Sequence, residues 1–90
     1  MLLLLATPSL IAHLSCAYTE SHLTQAQMVL AAKQATEAVG FKVTNVWPNA
    51  VQGQKGEYDS DILRVPGKGI VFIAVSGPDS LKCEDLQGKL

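Results

Sequence analysis

From Thr24 to Gly40 the chain reads TQAQMVLAAKQATEAVG, in which Met28, Ala31, Ala32, Ala35, Ala38 and Val39 recur at helical spacing. Wound at about 100° per residue, they form one apolar stripe. Thr24 with Gln27 three residues later makes a capping box, in which each side chain satisfies a backbone N–H at the helix start. Leu23 and Met28 occupy the two positions of a hydrophobic staple, and Gly40 is placed for a left-handed stop with Phe41 folding back toward Ala35 or Thr36. The pattern predicts a helix over about residues 25–39. Its stripe is mostly alanine, so the helix approaches a sheet closely but removes less apolar area from water than leucines would. On the polar side, among Gln27, Lys33, Gln34 and Glu37, lie Leu23, Ala26 and Leu30. This second patch is either covered by another part of the chain or is an interface, with a partner or with a second copy.

Beyond the helix, Phe41-Lys42-Val43-Thr44 alternates apolar and polar as a half-buried strand does, with an irregularity expected near Asn45 and a stop at Pro48. Trp47 stands at the strand exit, as a core-edge cap or as an exposed binding anchor. Residues 49–60, NAVQGQKGEYDS, lack apolar periodicity and read as an exposed loop, the first place to look for recognition. Ile62 to Val65 reads as a strand, Pro66 to Gly69 as its turn, and Ile70 to Val75 as six consecutive apolar residues. Such a run predicts a strand buried on both faces at the centre of a sheet. The tail can form one helical turn around Leu81 to Leu86, ended by Gly88. The expected architecture is a two-layer α+β fold, one amphipathic helix (about 25–39) packed on a three-stranded sheet (about 41–46, 61–65 and 70–76).

Residues 1–17, MLLLLATPSLIAHLSCA, carry no Lys, Arg, Asp or Glu. A leucine run ending in Ser15-Cys16-Ala17 resembles a signal peptide cleaved before Tyr18, although no basic residue precedes the leucines. Leu14-Ser15-Cys16 also resembles a bacterial lipoprotein box, which implies attachment to a membrane through a lipidated Cys16. These readings divide the chain into a leader at 1–17 and one small domain at 18–90, and place the protein as secreted, periplasmic or in the cell envelope. The alternative is a cytoplasmic protein with a buried N-terminal segment.

Seven basic against eight acidic residues, without blocks, leave a net charge of −1. That balance supplies no electrostatic footprint for nucleic acid. Cys16 and Cys83 are too few for a metal site by themselves and could at most close one disulfide. Glu57, Asp59 and Asp61 at alternate positions would share one side of an extended segment, as an acid/base pair or as a solvated charge run. No histidine stands at ligand spacing from them, no catalytic constellation is legible, and no cofactor is implied.

Two partial resemblances remain. AKQATEAVGFKV, with Pro66-Gly67 and the closing VSGP at Val75 to Pro78, resembles the penicillin-binding-associated repeat, an extracytoplasmic module that recognises peptidoglycan. It covers the helix and hairpin only, and the interval between Phe41 and Pro66 is short for that family. Glu57-Tyr58 with Asp61 and Arg64 is similar to the potato-inhibitor-I family of serine-protease inhibitors, whose long loop is the reactive site. That likeness rests on four residues, and neither is adopted. The expectation is a small exported binding module without catalysis, with its contact surface at Trp47, Gln52, Lys55, Glu57, Tyr58 and Asp59, for a protein or cell-envelope ligand. A small enzyme or enzyme subunit using the three carboxylates, and a protomer that self-associates through Leu23, Ala26 and Leu30, are the alternatives.

Overall fold

In the computed structural model, which describes residues 13–90, helix α1 (Gln25–Ala38) begins and ends where its local chemistry dictates. The Gln27 N–H donates to Thr24 Oγ1 at 3.2 Å and the Thr24 N–H to Gln27 Oε1 at 3.0 Å, completing the capping box. At the other end Gly40 takes φ +96°. Its N–H donates to the Glu37 carbonyl and the Phe41 N–H to the Thr36 carbonyl, the paired bonds of a Schellman stop.

Around this helix the chain adds β1 (His13–Glu20), β2 (Lys42–Trp47), β3 (Ala50–Lys55), β4 (Tyr58–Val65), β5 (Ile70–Gly77) and α2 (Ser80–Lys89). The result is a small, compact α+β protein. All neighbouring strands pair antiparallel, in the order β1-β5-β4-β3-β2. The expected sheet of three strands under one helix is therefore wrong: five strands and two helices are present among the described residues. Three elements account for the difference. β3 lies inside the stretch expected to be a loop, β1 begins inside the stretch expected to be a leader, and the tail forms a ten-residue helix capped by the Asp79 side chain. Most of the expected leader lies outside the described residues, but His13 to Ala17 belong to β1, which crosses the expected cleavage point. Strand β5 is not the centre of the sheet either; β4 is.

Both helices cover the same sheet face. Val51, Ile62 and Val71 meet Met28 and Ala32 of α1, while Val75 and Tyr58 meet Phe41 and, from α2, Cys83 and Leu86. Between these clusters α1 crosses the sheet at Gly53. A Cβ placed there would lie 2.5 Å from the Thr36 methyl and 2.8 Å from Ser60 Oγ, so the contact depends on glycine. Thr36 is fully buried at this crossing and satisfies its hydroxyl by donating to the Ala32 carbonyl at 2.7 Å. The expected alanine stripe is thus turned toward Met28, Ala32 and Thr36, with Ala31 and Ala38 exposed. Val43 packs against the core as expected, and the register of β2 shifts between Val43 and Asn45, close to the expected irregularity.

Burial of the two ionisable side chains under α2 gives the fold an alkaline limit. Burial first, then the nearby Asp79, raises the Cys83 thiol above its ordinary 9.0 and the Tyr58 phenol above its ordinary 10.0. The folded state holds these protons more tightly than the unfolded state. Their contribution is therefore complete below the unfolded values and is lost as pH climbs toward the raised folded ones. The urea midpoint should be insensitive to these two groups from pH 6 to about 8 and fall above about pH 9. Cys83→Ala should flatten the first part of that fall; an equally steep fall in the variant would remove the thiol as its cause.

Candidate functional site

The exit of β2 is built as a rigid corner. Pro48 and Asn49 form the turn to β3, and Asn49 ties that turn to two other elements. Its Oδ1 accepts from Gln25 Nε2 at 3.3 Å and from Arg64 Nη1 at 3.1 Å, and its carbonyl accepts from the Arg64 N–H at 2.7 Å. The corner is thereby fastened to the start of α1 and to β4. Val46 and the 48% exposed Trp47 end β2 here, and with Pro48 they line, together with Ala26, Val29 and the 57% exposed Leu30 of α1, a mainly apolar groove of about 550 Å³. Lys33 is the one charged residue lining it among the described residues.

Two features read separately from the sequence thus converge. Trp47, expected as an anchor, and Ala26 with Leu30, expected as an interface, line one groove. Leu23 does not join them. It lines a smaller cleft of about 180 Å³ between α1, the sheet and Leu90, where Met28 and Ala32 form the floor.

The other expected binding residues scatter, because residues 50–55 and 58–60 are strands rather than loop. Tyr58 is buried against the Gly77 backbone, with Lys82 Nζ 5.2 Å from its ring centroid. Lys55 donates to the Val39 carbonyl at 3.0 Å, serving the C-terminus of α1. Glu57 sits in the β3–β4 turn. Gln52, Asp59 and Asp61 alternate with the buried Val51, Gly53, Ser60 and Ile62, so they lie on the sheet face that no described helix covers. There Asn45 Nδ2 donates to Gln52 Oε1 at 2.9 Å, and Gln52 Nε2 to Asp61 Oδ1 at 3.2 Å. Partial burial raises the Asp61 carboxyl above its ordinary 3.8, opposed by the Gln52 bond and assisted by Asp59. Among the described residues no three histidine, cysteine, aspartate or glutamate side chains gather into a metal site.

The uncovered face also carries an apolar end. Tyr18 and Phe72 pair edge-on at 6.0 Å between centroids, beside exposed Leu63, with exposed Leu14 nearer the start of β1 on the same face. Cys16 lies on this side and Cys83 under α2; both thiols are free. Sequence reasoning passed over Val29, Lys33, Val46 and Asn49 as parts of a site. Asn-after-Pro at a strand exit was a readable turn signal, whereas the bonds from Asn49 to Gln25 and Arg64 needed the tertiary fold.

Comparison with protein-family models, with curated proteins and with solved structures finds no match to this chain. Neither partial resemblance gains support from it.

Proposed function

We propose that the protein is a binding module without catalysis of its own, and that its contact surface is the groove between α1 and the end of β2. The observation that carries this reading is the convergence of half-exposed Trp47 and Leu30 on one apolar recess whose corner is fixed by Asn49. Large side chains left half in water next to a concavity are what interface anchors look like before a partner arrives. A rigid corner also lowers the ordering cost of binding.

The chain has a single tryptophan, so the groove reports on itself. Anilinonaphthalene sulfonate, a fluorophore for apolar recesses, should take up energy from Trp47 in the native chain. Leu30→Asp, at an exposed position, should leave the fold intact and abolish most of that transfer. Alanine at Glu57, Asp59 and Asp61 together should leave it unchanged. Transfer that survives Leu30→Asp but disappears from the triple variant would move the contact surface to the uncovered sheet face.

A further inference from the structure

Beside the groove runs an edge strand. Among the described residues β2 is terminal in the sheet and bonds only to β3, so alternate residues turn their N–H and C=O groups away from the sheet. Natural edges are blunted against promiscuous pairing by bulges and lysines. The first half of β2 has both, in Lys42 and the register shift after Val43. The second half, Asn45 to Trp47, has neither, and it is this half that borders the groove. Lys33 lines the same groove, and among the described residues it makes no ion pair or hydrogen bond with the rest of the chain. A backbone edge, an apolar recess and an unpaired ammonium therefore stand side by side.

Resting on the groove reading above, we propose that the occupant is an extended peptide segment that adds as a strand to Asn45–Trp47. It inserts one bulky apolar side chain against Trp47 and Leu30 and places an acidic side chain near Lys33. Main-chain bonds to an edge supply affinity, and the recess and the charge supply selectivity.

Three blocked peptides test this on the full chain, with Trp47 emission as the readout: acetyl-TLTDT-amide, whose leucine and aspartate share one strand face, its lysine counterpart acetyl-TLTKT-amide, and the first peptide N-methylated at alternate backbone amides. The aspartate peptide should shift the emission to the blue with a Kd on the order of 100 µM, typical of a short segment covering a small area. The lysine peptide should bind about fivefold to tenfold more weakly, the scale of one partly exposed charge made repulsive instead of attractive. The N-methylated peptide should not bind, and Lys33→Glu should reverse the order of the first two. Equal binding after N-methylation, or a charge preference that survives Lys33→Glu, would overturn the proposal. If no peptide binds while energy transfer from Trp47 to the fluorophore still depends on Leu30, strand addition falls and the groove reading stands. If that transfer is also independent of Leu30, both fall.

Discussion

Gly53→Ala is expected to lower the unfolding free energy by about 3 kcal/mol, at the upper end of what overpacking one methyl costs a close-packed interior. The backbone at Gly53 has no unusual conformation, so the penalty is purely steric: the new methyl meets the Thr36 methyl, Ser60 Oγ and Phe41 Cβ, all within 3.1 Å. None of these can yield alone. Thr36 is fixed by its bond to the Ala32 carbonyl, Ser60 lies in the central strand, and Phe41 is held by the helix stop. For a domain of this size the loss corresponds to a fall of about 15 °C in the melting temperature. Gly88→Ala is the control with opposite sign. Gly88 lies inside α2 with nothing within 4 Å of an added Cβ, so alanine should stabilise by about 0.5 kcal/mol through helix propensity. Thermal melts of the two variants against the native chain decide the matter. A Gly53→Ala chain that melts with the native one would mean that α1 does not cross the sheet at this contact.

Removing the first half of β1 is expected to have an effect of similar size. A chain beginning at Tyr18 keeps three of the eight residues of β1, losing the partners of Ile73 to Gly77 on β5. The carbonyl of His13 that accepts from Cys83 Sγ at 3.6 Å goes with them, as does Ser15, whose hydroxyl donates to Gln87 Oε1 at 3.4 Å. Each lost hydrogen bond is worth about 1 kcal/mol net, offset by the backbone freedom that the removed residues no longer surrender. We expect a net loss of about 3 kcal/mol relative to a chain beginning at His13. In hydrogen exchange, the amides of β5 and α2 should lose protection before those of β3 and α1. Uniform loss across the sheet would mean that β1 supports the whole molecule and not this edge alone. A leader cut after Ala17 would produce this shorter form and leave β5 an open edge over part of its length.

What could be read from the sequence was what short-range chemistry decides. The cap at Thr24, the stop at Gly40 and the turn at Pro66 to Gly69 each depend on a few adjacent residues, and the structure has all three. Strand β3 and the first three residues of β4 were obscured because their inward positions carry Gly53, Tyr58 and Ser60 in place of aliphatic residues. Gly53 reads as a loop residue until the crossing helix is known to need its missing side chain. Ile70 to Val75 misled in the opposite direction: apolar at every position, it suggests two covered faces, yet Phe72 remains 37% exposed on the side without helices. Apolar runs record the absence of polar groups, and they do not say what covers them. The site divides the same way. Trp47 and Leu30 stood out singly as large apolar residues in polar surroundings, whereas the groove that both line depends on β2 running along the flank of α1, and on Asn49 holding the corner.

A partner seated on the Trp47 groove, as proposed, is tested most directly by replacing Trp47 with the photo-cross-linking residue benzoylphenylalanine and irradiating the protein in its native host. A matched protein carries the same group in place of Phe72, on the uncovered sheet face. A single cross-linked species of defined mass is expected from position 47 and should disappear when Leu30→Asp is added, with no comparable species from position 72. A defined species from position 72, with none from position 47 or with one there that is indifferent to Leu30→Asp, would contradict the proposal and transfer the function to the patch around Tyr18 and Phe72.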